Sequence, residues 1–183
     1  MLLDRIGPES DSPLVLLKPN TPHPMDATDR KILTLLQADA SLSIAELAER
    51  VHLSQTPCWK RVQRLEQKGV ITKRVALVSP EKIGLGLTVF VAIETNDHSA
   101  EWLARFAETV SAMAEVMELY RMAGEVDYQL RVVVADMAAY DQFYKRLIAA
   151  MPLKNVTSRF AMERIKQTTA LPVPGAPALL GKR

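Results

Sequence analysis

The sequence predicts an α+β chain of two domains: a helical module over residues 25–70, then a four-stranded sheet with two helices over residues 87–170. Three observations carry this. Apolar residues recur at helical spacing in three successive segments up to Gly69, and at a spacing of two directly after it. Positive charge is uneven: Lys60, Arg61, Arg64, Lys68, Lys73 and Arg74 face the single acid Glu66 between Ser54 and Arg74, whereas residues 83–167 hold nine basic and eleven acidic residues. Proline punctuates both ends, at Pro8, Pro13, Pro19, Pro22 and Pro24 and again in "LPVPGAPALLGKR". The 183 residues, 48% hydrophobic and 24% charged, suffice for two small folded domains.

In the first domain, Ile32, Leu33, Leu35 and Leu36 share one face of a helix between Asp26 and Asp39. Ser43, with Glu46 three residues on, makes a capping box for a second helix whose buried stripe is Ile44, Leu47, Ala48 and Val51. After a turn at "HL", Ser54 is placed to cap a third helix. Pro57 is tolerated in its first turn because the missing N–H has no intrahelical partner there. Gly69 ends it. Two helices joined by so short a turn, the second basic, form a (winged) helix-turn-helix.

The second domain opens after a connecting strand and linker, residues 71–86: "VITKRVALV" is expected as a strand and "SPEKIGLG" as a loop. Residues 87–95 are apolar on both faces, so this strand is expected at the centre of its sheet. A helix over residues 99–113 buries Trp102, Leu103, Phe106 and Val110. Strands 116–122 and 128–134 meet through "AGEVD". Asp136 caps a helix with Tyr140, Phe143, Tyr144, Leu147 and Ile148 inward, Pro152 ends it, and 156–165 is the last strand. This βαββαβ order is ferredoxin-like. With both helices on one side, the other face is expected to be apolar and bare, so a second copy is expected to cover it. Residues 1–24 are expected as a flexible arm and 171–183 as a loose tail.

On a wheel of 100° per residue, Cys58, Val62 and Leu65 of the third helix fall together, towards the other helices. Thr56, Lys60 and Gln63 lie opposite, with Trp59 and Arg64 at the margins. Short polar groups near the N-terminal end suit base edges, and cations suit phosphates. Backbone amides at the helix start, with Ser54 and Gln55, add anion donors. The candidate DNA contacts are therefore Ser54, Gln55, Thr56, Trp59, Lys60, Arg61, Gln63 and Arg64, with double-stranded DNA the partner. An isolated charged helix face is commonly only solvated; the short turn, the capped helix before it and the scarcity of acids favour DNA. Cys58 is expected as a small buried apolar side chain.

With these residues in place the chain resembles a regulator of the Lrp/AsnC (feast/famine) family over residues 25–170. "LSQTPCWKRVQRLEQKGVI" matches that family's recognition helix, and "MAGEVDYQLRV" its glycine–acid segment. "TPCWKR", "PEKIGLGL", "VADM" and "FYKRL" are most similar to a cysteine-responsive member. The resemblance implies a regulator of amino-acid metabolism that forms dimers and often octamers, with a small amino acid, cysteine first, bound between dimers. It also implies effector candidates at Met122, Gly124, Glu125, Asp127 and Tyr128, with Ser158 on the last strand. Gly124 permits close backbone approach, and Asp127 offers an acceptor for an ammonium group. "AGEVDY" as a plain polar hairpin is the alternative.

Two other classes compete. Sirohaem decarboxylases resemble the same two-domain plan, and a sequence-indifferent architectural DNA protein would share the basic helix. Against an enzyme, His23, His52 and His98 have no metal spacing, and no phosphate loop, catalytic triad or paired-carboxylate signature occurs. No catalytic residue, metal or cofactor is expected. The apolar stretches, such as residues 87–93, are too short to cross a bilayer. Asp4, Arg5 and Pro8 do not make a secretion signal, and one cysteine allows no internal disulfide, so a cytoplasmic, nucleoid-associated protein is expected.

Overall fold

The structure, a computed structural model, describes residues 24–176. All of the expected arm but Pro24 lies outside these residues, as does the end of the tail, 177–183. The described chain forms two compact units: Ser79–Arg164, and residues 24–78 together with 165–176.

The helical unit holds α1 (Ala27–Ala38), α2 (Ile44–Val51) and α3 (Gln55–Gln67). Asp26 and Asp29 cap α1 reciprocally, each carboxylate accepting the other's backbone N–H. Ser43 and Glu46 do the same for α2, as the sequence predicts. Ser54 occupies the N-cap position of α3 in extended backbone, but its hydroxyl makes no cap bond, contrary to expectation. Between α2 and α3 the turn is made by His52 in the left-handed region, at φ 58°, which frees its N–H to bond back to the end of α2. Gly69, at φ +67°, ends α3 with its N–H on the Glu66 carbonyl. Ile32, Leu42, Leu47, Ala48, Val51, Cys58, Val62 and Leu65 form the buried core.

Two expectations change here. Residues 72–78 form no strand, because among the described residues no neighbouring strand lies alongside to take their N–H and C=O groups. Val75, Leu77 and Val78 remain exposed, while Val70 and Ile71 fold back onto the helical core. The tail, expected to be loose from 171, is held as far as it is described. Leu171 donates its N–H to Gln37 Oε1 at 2.6 Å and accepts from Gln37 Nε2 at 3.2 Å, and Val173 packs against the core. A proline-rich segment lacks periodicity, yet one apolar side chain and one amide pair are enough to seat it.

The other unit runs β1 (Leu87–Glu94), α4 (Ala100–Ser111), β2 (Val116–Arg121), β3 (Tyr128–Val134), α5 (Met137–Ala150) and β4 (Asn155–Phe160), preceded by a turn at Glu81–Ile83. The sheet order is β2-β3-β1-β4, antiparallel throughout. β1 pairs with β3 from Leu87↔Val134 to Ile93↔Tyr128, and with β4 from Val89↔Phe160 to Glu94↔Asn155, so it is central as expected. Val89, Val91, Ile93, Leu130 and Val132 face α4 and α5, where Trp102, Phe106, Val110, Phe143 and Leu147 close the core. Trp102 stacks on Phe106 at 4.8 Å between ring centres, and Tyr128 lies 4.6 Å from Phe106.

Three more expectations are corrected. β4 stops at Phe160 rather than residue 165, because β1 begins at Leu87 and the last rung is Ala161 N–H to Thr88 C=O. Ile148 is exposed rather than inward, lying one position past the stripe that ends with Leu147. The uncovered sheet face is mixed rather than wholly apolar: the alternation puts Phe90, Ala92 and Val133 there together with Thr88, Gln129, Arg131, Thr157 and Arg159. Arg131 pairs with Glu118 at 2.7 Å, and Glu118 also accepts from the Tyr120 hydroxyl at 3.0 Å.

The left-handed turn residue supplies a test of this geometry. His52→Val should lower stability in urea melts by on the order of 1–2 kcal/mol, since a β-branched side chain is crowded there, whereas His52→Gly should hold or raise it.

Candidate nucleic-acid interface and effector region

α3 turns Cys58, Val62 and Leu65 into the core, as the wheel predicts. Ser54, Gln55, Thr56, Trp59 and Lys60 consequently stand exposed along its first two turns, with Trp59 half in solvent. Gln63 is half-buried and donates to Glu66 Oε2 at 3.2 Å. Burial pushes the Cys58 thiol up, with Arg61 opposing, so this sulfur is an inert core group and not a reactive one.

The cations are divided. Arg61 Nη1 donates to Asp26 Oδ2 at 2.6 Å and to Asp29 Oδ1 at 2.8 Å, and Arg64 Nη2 to Asp29 Oδ2 at 2.7 Å. Arg74 pairs with Glu66 at 3.0 Å. Lys60, Lys68 and Lys73 make no ion pair among the described residues. The Asp29 N–H, then Arg61, hold the Asp26 carboxyl below the usual aspartate range, and Asp26 followed by Asp29 raises the Arg61 guanidinium. Sequence reasoning missed Asp26 and Asp29 as partners of α3. Their i, i+3 spacing is a capping-box signal, but nothing local shows that two arginines 32 to 35 positions later would reach them.

Of the effector candidates, Met122, Gly124, Glu125 and Asp127 come together in the turn between β2 and β3. Gly124 has φ +135° and open space where a side chain would stand. Met122 N–H donates to the Asp127 carbonyl at 2.8 Å, and Asp127 N–H to the Ile93 carbonyl at 3.0 Å. Asp127 Oδ2 accepts the Thr95 N–H at 2.8 Å, while Oδ1 stands 3.8 Å from His98 Nδ1. Thr95 and His98 are thus further neighbours of the turn that periodicity did not reveal. Tyr128 points the other way, against the stacked rings of Trp102 and Phe106, and burial pushes its phenol up. Ser158, on β4 opposite Val91, is bonded to the Tyr140 hydroxyl beneath α5. The structure gathers the four turn residues and leaves Tyr128 and Ser158 in the helix-covered layer. Among the described residues no group of His, Cys, Asp and Glu could hold a metal ion.

A helix-turn-helix with an exposed third helix, followed by a βαββαβ domain, is the plan of a DNA-binding regulator with a ligand-binding domain, and the comparisons with known proteins assign the chain to that class. The chain belongs to the Lrp/AsnC family. Residues 25–72 match the winged helix-turn-helix DNA-binding model and residues 88–171 the Lrp/AsnC ligand binding domain. The chain is 58% identical over 150 residues to the DNA-binding transcriptional activator DecR of Escherichia coli (strain K12), covering 81% of this chain and 99% of the relative. An AsnC family transcriptional regulator from Agrobacterium tumefaciens superposes with a TM-score of 0.79 at 59% identity, over 81% of this chain and 97% of that one. A transcriptional regulator from Neisseria meningitidis, solved as a complex with L-methionine, gives 0.79 at 36% identity, over 82% and 98%. The chain is a DNA-binding transcriptional regulator, and the relatives it matches are named as transcriptional regulators. No helix among the described residues is long and apolar enough to cross a membrane.

The arginine–aspartate cluster generates a stability test. Arg61→Ala leaves the buried Asp29 short of one donor and should cost about 1–3 kcal/mol in denaturant melts. Asp26, whose value is depressed on folding, contributes stability above the ordinary aspartate range that is lost as pH falls through its folded value. Asp26→Asn should therefore blunt the acid side of the pH–melting profile.

Proposed function

We propose that the chain reads its operators through the exposed side of α3, with Thr56 and Gln63 at base edges and Lys60 on the phosphate backbone. The observation that supports this most is the division of charge. Lys60 is exposed and free of acids among the described residues, on the same face as Thr56 and beside Trp59. Ser54 and Gln55, at the helix start, add backbone donors for a phosphate. Lys60→Ala should weaken binding to every duplex and reduce the salt slope by about one phosphate. Thr56→Ala and Gln63→Ala should change preference among sequences, measured on a duplex selected from a random pool by the wild-type protein. Equal losses on selected and random DNA for all three variants would remove the assignment of base contacts.

The same proposal assigns the turn at residues 122–127 to a small amino acid, cysteine first on the resemblance to a cysteine-responsive family member. Asp127 Oδ1 is the supporting observation: with His98 Nδ1 at 3.8 Å, beyond hydrogen-bond range, this oxygen is available to an ammonium group. The open backbone at Gly124 leaves room for a carboxylate, and Met122 and Glu125 are exposed beside it. L-Methionine in the Neisseria relative supports an amino acid as the ligand class. Dimers formed through the sheet domain, assembling further into octamers on chromosomal DNA, would place this turn at a contact between dimers. By linkage the effector and DNA then change each other's affinity by one factor. Asp127 also ties the Thr95 amide, so Asp127→Asn is the informative variant: it keeps an acceptor for that N–H and loses the charge. Calorimetry with L-cysteine should show binding by the wild type and none by Asp127→Asn, with operator affinity unchanged. Undiminished binding by the variant would exclude Asp127, and a wild type that binds none of the twenty amino acids would end the sensing proposal.

A further inference from the structure

Beneath the recognition helix lies a carboxylate that no DNA contact accounts for. The Asp29 side chain, in the first turn of α1, is 2% exposed and accepts from two guanidiniums of α3, Arg61 and Arg64. Arg61 also meets Asp26. Two acids and two bases thus cancel locally, and a buried carboxylate in such a cluster holds its partners because it would otherwise be left without compensation. Arg64 is the telling member. Its side chain is 47% exposed, so it reaches the surface of α3, yet its charge is committed inward. With Arg74 held by Glu66, three of the six basic residues between Ser54 and Arg74 are paired to acids.

We infer that Asp29 is a selectivity-determining positioning residue for DNA binding. By holding Arg61 and Arg64 against α1 it withholds their charge from the phosphates, so that affinity leans on base-edge contacts rather than on sequence-indifferent attraction. This rests on α3 being the DNA-contacting helix. The physical basis is that cations neutralising phosphates supply nearly all nonspecific binding, whereas base contacts supply discrimination. A regulator with too many free cations along its recognition helix would be held on any duplex.

The test compares full-length variants on a random-sequence duplex and on a duplex selected by the wild type, between about 50 and about 200 mM salt. Asp29→Asn keeps the shape and removes the charge. On random DNA it should steepen the salt slope by about 0.9 for each freed arginine, deepening the loss of affinity across that range about 3.5-fold per arginine, and the ratio of selected to random affinity should narrow. Arg64→Ala should keep the wild-type slope, because that charge is already committed, while Lys60→Ala flattens it. The double variant Asp29→Asn/Arg64→Ala should move back towards the wild type. An Asp29→Asn protein with wild-type slope and ratio overturns the proposal, as does equal weakening on both duplexes, the mark of a purely structural carboxylate. If Asp29→Asn does not fold, Arg64→Ala decides: a slope flattened as much as by Lys60→Ala overturns the proposal, and an unchanged one supports it. A Lys60→Ala slope equal to wild type would overturn the DNA reading of α3 itself, and this inference with it.

Discussion

Three short helices must be held at fixed angles before α3 can present anything to a groove, and this constraint governs the helical unit. α1, α2 and α3 have 12, 8 and 13 residues, lengths at which isolated helices are marginal in water. Their stability therefore comes from one small shared core and from the ends. Ile32, Leu47, Cys58 and Leu65, all fully buried, fill that core. Reciprocal caps at Asp26–Asp29 and Ser43–Glu46 satisfy the helix starts. α3 has no side-chain cap, and it is α3 that is clamped to α1 by charge, through Arg61 and Arg64. Capping and clamping share one carboxylate, Asp29, which accepts the Asp26 N–H as well as both guanidiniums.

In the sheet domain the corresponding element is β1, bonded on both sides, whose alternation decides which face each residue of β3 and β4 takes. From its end a run of local hydrogen bonds leads into the helix layer. Asp127 accepts from Thr95 N–H; the Thr95 hydroxyl accepts from Asp97 N–H; Asp97 accepts from Ser99 N–H; and Ser99 caps α4 at the Trp102 N–H. The turn proposed for the effector is thus joined to the start of α4 by backbone donors and short side chains. Trp102 then packs on Phe106 and Tyr128, the residue directly after Asp127, so the path closes on itself through the core. A change of charge at Asp127 acts on a connected structure and not on a free loop.

Much of this was legible in the sequence, for reasons that differ by element. The helices were, because capping and 3.6-residue periodicity are local signals: Ser43 with Glu46, and Asp136 ahead of Tyr140 and Phe143, mark their own boundaries. β1 and β3 were legible as apolar runs with turn residues beside them. The strand expected over 70–78 and the end of β4 were not, because a strand exists only where a partner lies alongside, and apolar alternation cannot report one. The exposed face of α3 followed from the wheel, but the commitment of Arg61 and Arg64 to Asp29 did not, since it depends on how two helices meet. Tyr128 was legible on the other side of that divide: it adjoins the turn in sequence and leaves it for the core in space, as the alternation of successive strand residues between opposite faces requires.

The return of the tail to α1 makes the sheet domain an insertion within the helical unit: residues 79–164 stand between its first and last parts. During synthesis the three helices emerge first, yet Gln37 waits for Leu171, and the core for Val173, until the intervening domain has left the ribosome. The module that meets DNA is the first to begin folding and the last to be completed. A chain clipped near residue 170 would carry an intact sheet domain and an unfinished reading head, so a nick beside one terminus would show itself in the domain encoded at the other.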